Sequence, residues 1–308
     1  MIELKSKSQL EIMRQAGQIV GKLLEVLRAA VRPGVSTLEL DRIARETIVK
    51  FGGIPAFKDY RGYPANICTS INEEVVHGIP SERKLKSGDI IGLDVGAIVE
   101  GYYADAAITV PVDGIPPDVS DLVAVTELAL ANGIATATPE HRLSDISHIV
   151  QKTVESRGYS VVRDFVGHGI GTQLHEPPQV PNYGEPGFGP RLKPGMVLAI
   201  EPMVNQGTPE VEILPDGWTA VTKDRKLSAH FEHTVAITEE GPEILTLCPK
   251  KKQLKSKAWS WRRCPTRSSA SGSRGITWSS RTPRGRCGCI SFGSFRATGS
   301  RWSCRPTI

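Results

Sequence analysis

The sequence predicts an α+β fold built from two similar halves. Three observations carry that expectation. Helical periods alternate with short apolar strands. The best-defined strand pair is joined by so short a turn that it must be antiparallel. One ordered set of motifs occurs twice.

The elements follow in chain order. Ser8-Gln9-Leu10-Glu11 has the form of a capping box. After it Leu10, Met13, Ile19, Val20, Leu23, Leu24 and Leu27 recur at helical spacing until Pro33-Gly34. Ser36-Thr37-Leu38-Glu39 opens a second helix that runs to Gly52-Gly53. Two more helices are expected near 119–132 and 145–157. Strands are expected at 65–70, 90–98, 102–110, 160–164, 196–204, 231–238 and 243–247. Val99-Glu100-Gly101 reads as a tight turn between the second and third of these.

The repeated set begins with "VVHGIP" (75–80), echoed by "VGHGIG" (166–171). Next, "LKSGDIIGLD" (85–94) is echoed by "LKPGMVLAIE" (192–201). Last, "ADAAITV" (104–110) is echoed by "FEHTVAI" (231–237). These matches pair His77 with His168, Asp94 with Glu201, and Asp105 with Glu232. The order is kept while the spacing grows, as expected of a duplicated unit with loops inserted in the second copy.

Each half therefore drives an apolar strand into an acid. The hairpin puts Asp94 and Asp105 on neighbouring strands, where directly opposite side chains lie ~4.5–5.5 Å apart. Two ionised carboxylates in apolar surroundings need a proton, a cationic side chain or a metal. Neither strand contains Lys or Arg. Four carboxylates with His168 form an oxygen-rich donor set with one imidazole, suited to two divalent ions. The lack of a cysteine cluster argues against a structural zinc site. His168 and His175 lie in "GHGIGTQLHEPP", whose glycines predict a shaped loop beside the site. His141, His148 and His230 carry no such signal, and His233 is expected on the strand face opposite Glu232.

At this point a resemblance becomes specific. "SINEEVVHGIP", "GDIIGLDVGA", "GYYADAAITV", "GHGIGTQLHEPPQVPNY", "LKPGMVLAIEPM" and "EHTVAIT" resemble the motifs of the type I methionine aminopeptidases, in that family's order, from about residue 3 to Leu247. The resemblance implies the pita-bread fold: two pseudosymmetric halves, antiparallel sheet within and helices outside. It implies metal ligation by Asp94, Asp105, His168, Glu201 and Glu232, with Asp105 and Glu232 bridging two ions. It implies that His77 and His175 bind the peptide and the developing oxyanion. Glu201 is a candidate proton shuttle from the water to the leaving amine, a role the sequence leaves open to another carboxylate. Tyr60, Tyr63, Cys68, Leu174 and Trp218 stand where the family lines its methionine pocket. The activity implied is removal of the initiator methionine ahead of a small second residue, by a metal-activated bridging water. Cobalt, manganese, iron, zinc and nickel all suit the donors. The interval from His175 to Glu201 leaves no room for the type II helical insertion, so the short bacterial form is expected. Implied partners are the N-termini of nascent polypeptides, with transient ribosome association and a monomeric enzyme. A prolidase or Xaa-Pro aminopeptidase of the same fold, and a non-catalytic binding protein on it, are the alternatives.

Composition divides the 308 residues in two. The formal charge of +5 hides 33 acidic and 23 basic side chains before Lys250, against 15 basic and no acidic ones from Lys250 onward. The catalytic domain is expected over 1–249. The Arg-, Ser-, Trp- and Cys-rich tail, 250–308, has too few aliphatic residues for a core. It is expected to be disordered, as a native segment or as out-of-frame translation, and nucleic acid is a conceivable partner only there. "CGC" at 287–289 lacks the companions of a metal site. The N-terminus shows no secretory h-region, and no uninterrupted apolar run reaches the ~18 residues of a membrane span. A cytoplasmic location with no membrane association is expected.

Overall fold

The computed structural model describes residues 2–248 and, beyond them, only the backbone strands Ser279–Arg281 and Cys287–Cys289. The chain divides into Met1–Pro249 and Lys250–Ile308. In the second unit the two strands pair antiparallel, Ser280 opposite Gly288. The expectation of disorder for the rest of 250–308 lies outside the described residues.

The first unit opens with α1 (Lys7–Ala30) and α2 (Thr37–Lys50). α1 is capped by Ser6 rather than Ser8. The Ser6 hydroxyl accepts from Gln9 N–H at 3.3 Å, and Gln9 Oε1 accepts from Ser6 N–H at 2.7 Å. The reciprocal box is thus built on Ser6 and Gln9, two residues upstream of the pair expected. α2 is capped by Ser36 as the sequence indicates. Both helices bury an apolar stripe, and that of α1, from Leu10 to Leu27, lies across two long strands.

Those strands belong to the first sheet. β1 (Ile54–Pro55), β2 (Ile67–Ile71), β3 (Glu74–Val76), β4 (Ile90–Val99) and β5 (Tyr102–Pro111) follow in order. β4 is central, pairing antiparallel with β1, β2 and β5. Glu100 and Gly101 both take positive φ, 47° and 80°, in a two-residue turn of the kind that suits the strand twist. The turn sets Val99 opposite Tyr102 and so fixes the register of the whole hairpin.

The second half opens with α3 (Pro117–Thr136) and α4 (Leu143–Glu155), which pack on each other. By length and composition α3 could cross a membrane, a property the sequence reading did not assign to it. Here Leu122, Val125, Ala129 and Leu130 are buried in the core. Ten short strands follow: β6 (Ser160–Val161), β7 (Gly167–Gly169), β8 (Glu176–Val180), β9 (Val197–Ile200), β10 (Met203–Asn205), β11 (Val211–Ile213), β12 (Ala220–Thr222), β13 (Ser228–His230), β14 (His233–Thr238) and β15 (Gly241–Ile244). Their main sheet runs β15-β14-β9-β7-β8, and smaller sheets join β13-β10-β6 and β11-β12-β3.

Two expected strands are broken, and the breaks coincide. The run expected over 196–204 divides at Glu201-Pro202, where proline cannot donate to a ladder. The run expected over 231–238 begins only at His233, with a separate strand ending at His230. His233 faces Ile200 in one sheet and Met203 faces His230 in the other, so the chain changes sheet at Glu201-Pro202 and Phe231-Glu232 together. The halves meet where β5 runs beside this break. Glu232 N–H donates to Ala107 O at 2.8 Å and Ala107 N–H to Glu232 O at 3.3 Å. Thr234 Oγ1 ties both backbone groups of Asp105.

α1 is held close over the end of the second sheet. A methyl group at Gly17 would fall within the van der Waals envelope of the Leu245 carbonyl. In a free helix Gly→Ala gains about 1 kcal/mol. Gly17→Ala is instead expected to destabilise the chain by about 1–3 kcal/mol, because the backbone contact must open. A lowered urea midpoint would show this; a raised one would mean that α1 does not sit there.

Candidate metal centre

Four carboxylates converge on the seam between the halves. The hairpin register sets Asp94 opposite Ala107 and Asp105 opposite Gly96. The two acids are therefore diagonal neighbours on one face, not the directly opposed pair the hairpin alone suggested. Glu201 and Glu232 occupy the coincident strand break. The reciprocal hydrogen bonds of Ala107 with Glu232 bring Asp105 alongside Glu232. Asp105, His168 and Glu232 each offer one ligand atom within 4.8 Å of the others. His168 Nε2 lies 3.5 Å from Glu201 Oε1.

His168 comes from a strand rather than the loop expected. β7 lies between β9 and β8, and the absence of side chains at Gly167 and Gly169 lets those backbones approach. The His168 Nδ1 lies 2.9 Å from the Gly169 carbonyl. A carbonyl only accepts, so Nδ1 carries the proton and Nε2 keeps a free lone pair. Burial holds its pKa down at about 4, so the ring is neutral at pH 7. A neutral imidazole oriented by a backbone carbonyl is a metal ligand in waiting.

The carboxylates are as badly placed for charge as the sequence implies. Asp105 and Glu232 are buried, and Glu201 shows 13% of its side chain. Burial pushes all four pKa values up: that of Asp94 to about 7, those of Asp105, Glu201 and Glu232 well above the carboxylate range. Mutual repulsion adds to burial in the last three. Asp94 Oδ1, Asp105 Oδ1 and Glu232 Oε1 are buried without a hydrogen-bond partner. Among the described residues lining the cavity, Arg61 is the one Lys or Arg. Orphaned anionic oxygens beside a free imidazole lone pair fit divalent cations, which would satisfy all of them at once.

The cavity measures about 180 Å³, the room of one side chain and a few waters at roughly 30 Å³ each. All twelve site residues expected from the sequence line it: the five candidate ligands, His77, His175, Tyr60, Tyr63, Cys68, Leu174 and Trp218. His77 takes a left-handed φ of 62° at the end of β3, an uncommon conformation for a non-glycine residue and of the kind that clusters at functional sites. Its ring meets Phe165 and Trp218 edge-on. The His175 ring lies against that of His168, centroids 4.2 Å apart and planes tilted by 43°, and burial holds its pKa down at about 3. Tyr63 meets Trp218 edge-on, and its hydroxyl sits between the carbonyls of Ile67 and Gly78. With Cys68, Leu174 and Phe57 these rings form one continuous apolar cluster.

The sequence reading missed part of this site. Phe57, Arg61, Val76, Phe165 and Val166 also line the cavity; Val76 and Val166 flank the echoed His-Gly-Ile motif, while Phe57, Arg61 and Phe165 lie in no repeated motif. His230, set aside earlier, is buried, and its Nε2 lies 3.7 Å from Glu201 Oε2 with no hydrogen-bond partner. His233 itself turns away and meets Thr246 at 2.8 Å, as expected.

Residues 11–239 match the model of metallopeptidase family M24. Over 249 residues the chain is 55% identical to the methionine aminopeptidase of Clostridium acetobutylicum, covering 80% of this chain and all of that one. It is similar to the crystal structure of methionine aminopeptidase from Thermotoga maritima, with a TM-score of 0.79 and 48% identity over 80% of this chain and all of that one. Prolidase from Pyrococcus furiosus gives a TM-score of 0.64 at 23% identity, over 79% of this chain and 65% of that one, a likeness of fold alone. The architecture shared with these structures is the pita-bread fold expected from the motifs.

The raised carboxylates make a stability prediction. An acid whose pKa is higher folded than unfolded binds protons more readily in the fold, so its contribution to stability falls as pH rises above the unfolded value of about 4. Asp105→Asn removes that charge at nearly constant shape. At pH 8 the metal-free variant is expected to be about 1–3 kcal/mol more stable than the metal-free parent. The gain should fade toward pH 4, where protonation does the same work. Urea unfolding of both across this range tests it; a variant less stable at pH 8 would contradict the assigned repulsion.

Proposed function

The chain belongs to metallopeptidase family M24, and from that premise we infer that it is a metal-dependent methionine aminopeptidase of the bacterial type I form. It removes the N-terminal methionine of polypeptides. The observation that carries the reading is one small cavity lined by five metal donors, two further histidines and an apolar aromatic wall. The 55% identity to a methionine aminopeptidase along that relative's whole length supports it.

We propose that Asp94, Asp105, His168, Glu201 and Glu232 are the residues that would hold two divalent ions. The support is their convergence and their orphaned oxygens. Such ions supply Lewis acidity, which lowers the pKa of a bound water toward neutrality. The remaining roles belong to the chain. Glu201 accepts a proton from the attacking water and passes it to the leaving amine, from its place in the cavity beside His168. His175 donates to the scissile carbonyl oxygen as negative charge develops there. His77, wedged between Phe165 and Trp218, holds the peptide. Tyr60, Tyr63, Cys68, Leu174 and Trp218 take the methionine side chain, whose flexible, polarizable thioether suits an irregular apolar wall. The small cavity favours a small second residue. The same reading places the enzyme in the cytoplasm, acting as a monomer on chains leaving the ribosome.

The full chain is expected to release methionine from Met-Ala-Ser, to lose that activity on chelation, and to regain it when a suitable divalent ion is returned. Xaa-Pro peptides should not be cleaved at a comparable rate. His175→Ala should lower kcat by about 10²–10³. Cleavage that survives exhaustive chelation, or a preference for Xaa-Pro peptides, would refute the reading.

A further inference from the structure

Two histidines stand side by side in the cavity, their rings tilted by 43°, and their Nδ1 atoms have opposite kinds of partner. His168 Nδ1 meets a backbone carbonyl, that of Gly169, at 2.9 Å. His175 Nδ1 meets the hydroxyl of Tyr60 at 2.8 Å. The first partner can only accept. The second can donate, and the chemistry favours that direction: a neutral imidazole nitrogen is a better acceptor than a phenol oxygen, and a phenol is the better donor.

The surroundings of Tyr60 strengthen the case. Its ring stacks on that of His175, centroids 5.4 Å apart and planes inclined by 24°, which limits how far either ring can turn. The Arg61 guanidinium lies over the Tyr60 ring, 5.3 Å from its centroid. A cation over the ring draws electron density from it and makes the hydroxyl a stronger donor. The backbone is bent to achieve this. Asp59 and Arg61, on either side of Tyr60, both take left-handed conformations, with φ of 65° and 51°. The turn is closed by Tyr60 N–H to Phe57 O and Tyr63 N–H to Tyr60 O, each 2.9 Å. Two non-glycine residues in that region together are strained, and such strain persists where neighbouring structure fixes a functional group.

We propose that Tyr60 is a positioning residue: its hydroxyl donates to His175 Nδ1, fixing the ring proton on Nε2, so that His168 presents a lone pair and His175 an N–H donor from adjacent rings. No bond is made or broken. The two imidazoles differ only in which nitrogen carries the proton, and each tautomer is set by its Nδ1 partner. The inference rests on the reading of His175 as donor to the scissile carbonyl, and it gives Tyr60 a role beyond lining the methionine pocket.

The test is ¹⁵N NMR of the histidine rings in the full chain, metal-free and loaded with diamagnetic zinc, at pH 7. His175 is assigned by loss of its signals in His175→Ala. The expected spectrum shows His175 protonated at Nε2 with a hydrogen-bonded, unprotonated Nδ1, and metal-free His168 protonated at Nδ1. Tyr60→Phe keeps the ring and removes only the hydroxyl. It should shift the His175 Nδ1 resonance and lower kcat about tenfold, with KM for Met-Ala-Ser within twofold and zinc affinity unchanged. A His175 proton on Nδ1 would overturn the tautomer assignment. So would a Tyr60→Phe variant with unchanged spectrum and kcat, or one that lost activity through KM alone. A His175→Ala variant as active as the parent would instead overturn the donor role beneath it, whatever the spectra show.

Discussion

The structure depends on a repulsion. Asp94, Asp105, Glu201 and Glu232 face one cavity, where burial raises all four pKa values, mutual charge adds to it for Asp105, Glu201 and Glu232, and Arg61 is the one Lys or Arg among the described lining residues. An apolar protein interior does not tolerate such a set as bare anions. Either protons or dications must hold it together, and the free lone pair of His168 favours the second. Active sites of this kind are local conflicts that the rest of the fold must hold in place.

What holds them is backbone. The acids are fixed by a two-residue turn that sets the β4–β5 register, a shared strand break at Glu201-Pro202 and Phe231-Glu232, and reciprocal hydrogen bonds between Ala107 and Glu232. None of these devices uses the carboxylates themselves, so the side chains stay free for ligands. The threonines do similar work: Thr234 ties the backbone of Asp105, and Thr109 exchanges hydrogen bonds with the backbone of His230. Such a frame suits catalysis because donors on rigid strands keep their geometry without reorganising.

Much of this was legible in the sequence. The helices and the first hairpin followed from period and turn chemistry, and the echo between halves paired the acids that meet across the seam. The rest was hidden for physical reasons. β3, β7, β11 and β12 span three residues each, too short for alternation to register. The break at Glu201 lay inside a continuous apolar run, where Pro202 was the signal passed over. The capping box expected at Ser8 and Glu11 forms instead at Ser6 and Gln9, two residues earlier. Arg61 and His230 carry no motif. Their places follow from a strained turn and from the packing of a distant strand, which local sequence does not encode.

The central claim is that the carboxylates hold protons when no metal is bound and surrender them to dications. It is tested most directly by isothermal titration of a divalent ion into folded, metal-free chain near pH 6.5, in buffers of different ionisation enthalpy. Binding of two ions per chain, with net release of at least one proton, is the predicted result. Failure to bind, or binding at this cavity without proton release, would contradict it.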